Sequence, residues 1–161
     1  MTKKLTEAGR EMHAEMSAAI QNKNVEVLPF LDDMPAAFAQ ADLIVCRSGA
    51  GAVAELAAAG KPSILIPYPY AADDHQMANA RAMERAGAAR VVPDKEFNGP
   101  RMLREIQACL ENNNLETMAR AAREQAKPGA AARAATSFLH GVLVWVGHVS
   151  LRNAWVESSI H

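Results

Sequence analysis

The run Cys46-Arg47-Ser48-Gly49-Ala50-Gly51-Ala52-Val53-Ala54-Glu55 carries almost no side chain between an apolar stretch and a helix-forming stretch. A strand that passes into a helix through glycine and alanine presents backbone N–H groups at the positive end of the helix macrodipole, where phosphate binds. Ser48 is a residue type that caps helices, and the N–H groups of Gly49, Ala50, Gly51 and Ala52 would converge on one anion-sized volume. Glu55 stands one turn beyond Gly51, so its carboxylate can accept hydrogen bonds from vicinal hydroxyls such as those of a ribose. A diphosphate with a sugar attached fits both features. The same small residues also suit close helix–strand packing with no ligand at all, so the loop alone does not decide between the two.

The elements around this loop alternate. Apolar spacing predicts a helix over residues 5–20, a strand over 25–28, a helix over 35–40 with Pro35 in its first turn, and a strand over 43–46. A helix over 50–59 ends at Gly60, a strand over 63–66 is stopped by Pro67, and a loop over 68–74 leads into a helix over 75–85. A strand over 89–92 follows, then helices over 101–111, 115–127 and 129–139, with Pro128-Gly129 as punctuation. Strands alternating with helices imply βαβ units and an α/β fold: a Rossmann-like parallel sheet with flanking helices. Four strands are readable where a complete doubly wound domain has about six, so the sheet reads as truncated on its N-terminal side. Ligands of such sheets bind outside the carboxyl ends of the strands, which nominates the loops 29–34, 47–52 and 67–79.

Composition narrows the function classes. The chain has 161 residues, half of them hydrophobic, enough for one domain with a covered sheet. Its net charge of −1, with both signs spread along the sequence, lacks the clustered basic excess of a nucleic-acid binder. Cys46 and Cys109 have no metal-ligand spacing and read as reduced core residues of a cytoplasmic protein. No metal or cofactor is implied, and Asp73-Asp74-His75 has no second ligand cluster to complete a metal site. The N-terminus lacks the apolar core of a signal peptide. The tail 138–149 is the most apolar stretch, yet it falls short of the roughly 20 residues that span a bilayer and is broken by two glycines and two histidines. It is expected to dock as a helix; an interfacial anchor with Trp145 and Trp155 at the headgroups is the alternative.

Several stretches taken together resemble the MurG family of bacterial transferases, which add N-acetylglucosamine to undecaprenyl-pyrophosphoryl-MurNAc-pentapeptide. They are Pro29-Phe30-Leu31-Asp32-Asp33-Met34, Ala41-Asp42-Leu43-Ile44-Val45-Cys46-Arg47-Ser48-Gly49-Ala50, Glu55-Leu56-Ala57-Ala58-Ala59-Gly60-Lys61-Pro62, Ile66-Pro67, and Asp74-His75-Gln76 with Asn79-Ala80. Their order, spacing and residue types match over residues 25–133. The resemblance implies the C-terminal half of a GT-B glycosyltransferase, a UDP-GlcNAc-binding domain over 1–133 followed by a divergent apolar tail over 134–161. It implies that the backbone of Leu31 meets the uracil, that Ser48, Gly49, Ala50, Gly51 and Ala52 lie against the diphosphate, and that Glu55 holds the ribose. Gln76 and Asn79 would contact the sugar hydroxyls, which suits side chains that both donate and accept; as residues alone, three apart on one helical face, they read first as polar side chains in contact with water. Arg47 reads either as an aid to the leaving diphosphate or as an ion-pair partner, and His75 as a hydrogen-bond donor or helix-start residue.

Two departures from the family stand out. Ala52 occupies a position where family members often carry a hydroxyl, and residues 1–161 contain no acceptor domain, no first glycine-rich loop and no general base. The implied role is the donor-binding half of an inverting hexosyltransferase that converts lipid I to lipid II in peptidoglycan synthesis, inactive by itself. The implied setting is peripheral, at the cytoplasmic face of the inner membrane, with UDP-GlcNAc and an undecaprenyl-linked acceptor as partners. The alternatives are a non-catalytic sugar-nucleotide-binding subunit that needs a separate acceptor-domain partner, or an inactive truncated product.

Overall fold

A computed structural model of the chain describes residues 33–71 and 74–126, together with Glu11, Ala14, Ala18, Leu28, Leu31 and the backbone of Val144–Trp145. Three short strands run parallel: β1 (Ile44–Cys46), β2 (Ser63–Leu65) and β3 (Ala89–Val91). β2 lies between the other two, in register Ile44 to Ser63 and Ser63 to Ala89. The helices are α1 (Met34–Gln40), α2 (Ala50–Ala59) between β1 and β2, α3 (His75–Arg85) between β2 and β3, then α4 (Gly99–Leu110) and α5 (Asn114–Glu124). This is the α/β arrangement expected from the alternating pattern.

The strand period of two separates the core into two faces. Ile44, Cys46, Leu65, Ala89 and Val91 join Phe38 of α1, Leu56 of α2, Ala80 and Met83 of α3 and Ala122 of α5. Ile64, Ile66 and Val92 face the other way, onto Cys109 of α4 and Met118 of α5. β2 is buried along its whole length, as a strand covered on both faces must be. Arg90 lies between Ala89 and Val91 on the α4 side, where its Nε donates to the buried Glu105 carboxylate; Arg101 Nε reaches the same carboxylate at 2.8 Å. One doubly paired acid thus fastens α4 to β3.

Local signals set the helix ends. Asp33 caps α1 by accepting from Ala36 N at 2.9 Å, and Asn98 caps α4 by accepting from Arg101 N at 2.9 Å. α2 ends at Gly60 with φ of 61°, a conformation that favours glycine, and a Cβ there would lie 2.4 Å from the Arg123 side chain, which would have to move.

The helices expected over 50–59 and 75–85 have the expected bounds, and the other expected strands and helices within the described residues shift at one or both ends by one to three residues. α4 begins earlier than residue 101 because Asn98 supplies the cap and Pro100 suits a first turn, and a 3₁₀ turn at Asp94–Glu96 was not anticipated. Glu11, Ala14 and Ala18 are helical, in keeping with the helix expected over 5–20, whose other residues lie outside the described ones. Of the strand expected over 25–28 only Leu28 is described, half-exposed and in irregular backbone. The helix expected over 129–139 lies outside the described residues.

The tail corrects the expectation of a helix: Val144–Trp145 is extended and pairs antiparallel with Val45 and Cys46. The outer edge of β1 offers unpaired backbone groups, and Val and Trp favour extended backbone. Among the described residues no helix is long and apolar enough to cross a membrane.

Candidate functional site

The loops at the carboxyl ends of β1, β2 and β3 are tied to one another through the segment Arg47–Gly49. Ser48 is fully buried, and its Oγ donates to the main-chain carbonyl of Gln76 at 2.7 Å. This corrects its expected role. The N-cap of α2 is Gly49, with φ of −60° and ψ of 153° and no side-chain cap, because a hydroxyl enclosed beside a buried carbonyl is used to satisfy that carbonyl. Asn79 Nδ2 in turn donates to the Ser48 carbonyl at 3.1 Å, and Tyr68 N donates to Gln76 Oε1 at 3.0 Å. Each amide is therefore held by one end. Among the described residues the Gln76 NH₂ and the Asn79 carbonyl oxygen have no partner, so a donor and an acceptor stand one turn apart on α3.

At the start of α2 the geometry favours an anion. The first helical bond runs from Val53 N to Gly49 O at 3.0 Å, which leaves the N–H groups of Ala50, Gly51 and Ala52 without helical acceptors. A Cβ built on Gly49 or Gly51 meets nothing within 4 Å, and the φ of Gly49 is one that any residue adopts. Neither glycine is required by a neighbouring side chain among the described residues, and both leave open space at the start of α2. Ala50 is exposed, whereas the Ala52 side chain packs into the core, so residue 52 offers the site its backbone alone.

Glu55, four residues after Gly51, is half-buried and has no hydrogen bond or ion pair among the described residues. Burial raises its carboxyl above the usual 4.5. Burial, followed by the nearby Glu55 charge, pushes the Cys46 thiol up to about 12, and burial takes the Cys109 thiol to about 11. Both thiols are free, buried and protonated at neutral pH. A half-buried carboxylate without a protein partner is costly to keep, and hydroxyl donors of a ligand would relieve that cost.

Arg47 turns away from the α2 N-terminus. Its Nη1 donates to the carbonyls of Ile66 and Pro67, each at 3.3 Å, and to the Asp94 carboxylate, while its guanidinium lies 5.6 Å from the centre of the Tyr68 ring. Of the two roles open to it, the ion pair is the one formed. Leu31 sits half-buried in irregular backbone ahead of α1, and no hydrogen bond among the described residues joins it to the other candidates. His75 opens α3 at its exposed first position. Sequence reasoning missed Asp94 and Tyr68. Asp94 had one legible signal, that of an acid just past the carboxyl end of β3. Among the described residues no group of three His, Cys, Asp or Glu side chains is placed to hold a metal ion.

Residues 2–134 match the model of the glycosyltransferase family 28 C-terminal domain. The chain is 63% identical over 110 residues to the UDP-N-acetylglucosamine--N-acetylmuramyl-(pentapeptide) pyrophosphoryl-undecaprenol N-acetylglucosamine transferase of Solibacter usitatus, covering 68% of this chain and 30% of that protein. It is 46% identical over 129 residues to the enzyme of the same name from Chromohalobacter salexigens, covering 79% of this chain and 35% of that one. The crystal structure of Acinetobacter baumannii MurG superposes with a TM-score of 0.59 at 41% identity, over 67% of this chain and 31% of that chain. The chain thus spans about a third of the length of the relatives it matches.

Proposed function

The chain belongs to the glycosyltransferase family 28 C-terminal domains, and on that footing we propose that it is the donor-binding half of an N-acetylglucosaminyltransferase of the MurG kind, its ligand UDP-GlcNAc. One observation carries the reading: a half-buried Glu55, with no partner among the described residues, stands one turn beyond a glycine pair whose Cβ positions are open. The α2 N–H groups would receive the diphosphate, Glu55 the ribose hydroxyls, and the free ends of Gln76 and Asn79 the hexose hydroxyls. The backbone at Leu31 would meet the uracil.

In this reading residues 1–133 form the donor domain and 134–161 stand outside it. The domain's share of catalysis is to fix the anomeric carbon and to stabilise charge on the departing diphosphate, through N–H groups and a helix dipole already oriented before reaction. The acceptor surface and the general base would come from the part of the relatives' length that this chain does not span, so transfer of the sugar to lipid I requires that part. A water-soluble donor and a lipid-linked acceptor meet only at a membrane surface. That chemistry supports a peripheral location on the cytoplasmic face.

Calorimetry of the purified chain with UDP and with UDP-GlcNAc tests the reading. Both should bind, and the sugar nucleotide should bind more tightly. A folded chain that binds neither refutes it.

A further inference from the structure

Arg47 sits at the carboxyl end of β1, and the groups it reaches belong to the two strands beyond. Its side chain crosses the end of β2, donating to the carbonyls of Ile66 and Pro67, and arrives at Asp94 in the turn that follows β3. Arg47 and Asp94 are each about one-third exposed, so the pair is partly shielded from water. The Tyr68 ring covers the guanidinium, and the Tyr68 N–H is the group that holds Gln76 Oε1. One side chain therefore bridges the ends of all three strands and lies against the residue that holds the Gln76 amide, in addition to the Ser48 and Asn79 bonds that join α3 to the first loop. The two N–H groups of Nη1 are shared among the two carbonyls and the carboxylate, and the planar guanidinium adds a flat face for the aromatic ring that a lysine ammonium lacks.

We propose that Arg47 is a positioning residue: paired with Asp94, it staples the three loop ends and so fixes the amide of Gln76 for recognition of the donor sugar. This rests on the donor-binding reading above. A staple and a diphosphate ligand differ in what they affect. Loss of a diphosphate ligand weakens UDP and UDP-GlcNAc alike, because both carry the diphosphate. Loss of the staple loosens the segment from Pro67 to Gln76, so the sugar nucleotide is weakened selectively. Asp94 separates the two further. Freed from Asp94, an arginine that served phosphate would bind UDP as well as before or better, whereas a staple without Asp94 fails as it does without Arg47.

The experiment uses Arg47→Lys, Asp94→Asn and the double variant in the full chain, each shown to be folded by its thermal transition. Both single variants should bind UDP-GlcNAc about five- to tenfold more weakly while UDP changes less than about twofold, and the double variant should be no worse than either single one. Hydrogen exchange at the Tyr68 amide should quicken in both single variants, a readout that needs no ligand. Parallel weakening of both ligands by Arg47→Lys, with UDP binding kept in Asp94→Asn, overturns the staple in favour of direct diphosphate binding. Unchanged exchange at Tyr68 overturns it outright. If the wild-type chain binds neither ligand, the donor-binding reading falls and the exchange measurement still decides whether the staple exists.

Discussion

The side-chain amide of Asn79 donates to the main-chain carbonyl of Ser48 at 3.1 Å, joining the third residue past Gln76 on α3 to the loop that precedes α2. Two stretches some thirty residues apart in sequence are thereby held as one surface, with Ser48 Oγ answering through the Gln76 carbonyl at 2.7 Å. Asn79 is a scaffold group by its nitrogen and a ligand candidate by its oxygen.

Asn79→Ala should therefore weaken UDP and UDP-GlcNAc together, by roughly 0.5–1.5 kcal/mol for the loop bond, with a further loss for the sugar nucleotide. Asn79→Asp sets a carboxylate oxygen against the Ser48 carbonyl and should be the worse of the two. Titration calorimetry of both ligands checks this; a loss confined to UDP-GlcNAc would leave the scaffold role without support.

Gly49 and Gly51 allow stability to be separated from binding. A methyl group at either position meets no protein atom within 4 Å, and in a helix Ala is favoured over Gly by up to about 1 kcal/mol. Gly51→Ala should melt at the wild-type temperature or above it and lose UDP affinity at least about tenfold, by filling the space a phosphate needs. Equal affinity in a stable Gly51→Ala would move the phosphate elsewhere.

Glu55 makes the same separation through pH. Its folded-state carboxyl is raised above 4.5 by burial, so between 4.5 and the raised value the folded chain binds more protons than the unfolded one. Stability falls as pH rises through that window, and the full cost persists above it. Glu55→Gln should accordingly melt higher than wild type at pH 7, with the gap closing below the ordinary carboxylate range, while UDP binding drops by about 1.5–3 kcal/mol for lost charged hydrogen bonds. Melts from pH 4 to 8 and calorimetry at pH 7 test both halves.

Glu105 has the opposite sign. Burial pushes its carboxyl up, but the Arg90 hydrogen bond, the charges of Arg90 and Arg101 and the Arg101 hydrogen bond outweigh burial and hold it below 4.5. Its stabilisation is complete above the unfolded value and is lost as pH falls through the folded one. Glu105→Gln should cost about 1–2 kcal/mol at pH 7, less than removal of one partner from a fully buried pair because Arg90 and Arg101 stay partly in water. The difference from wild type should shrink in acid, and ligand affinity should not change.

The sequence alone determined the alternation of strands and helices and the covered β2, and it nominated the glycine-rich loop and Glu55 as candidates, while Gln76 and Asn79 came forward only through the resemblance to a family. Those features are local: apolar periodicity, glycine at a strand–helix junction and Gly60 at a helix end act over one or two turns, so their meaning survives without coordinates. Tertiary structure decided which of the candidate groups bond to the protein itself. Ser48 had the right type for a cap, and only the arrival of the Gln76 carbonyl made it a buried donor; Arg47 read as an ion-pair partner as well as a diphosphate aid, and only the fold brought it to Asp94, 47 residues away. A hydrogen bond depends on the position of both partners, and for residues on different strands that position is set by the register of β1, β2 and β3, which no local pattern encodes.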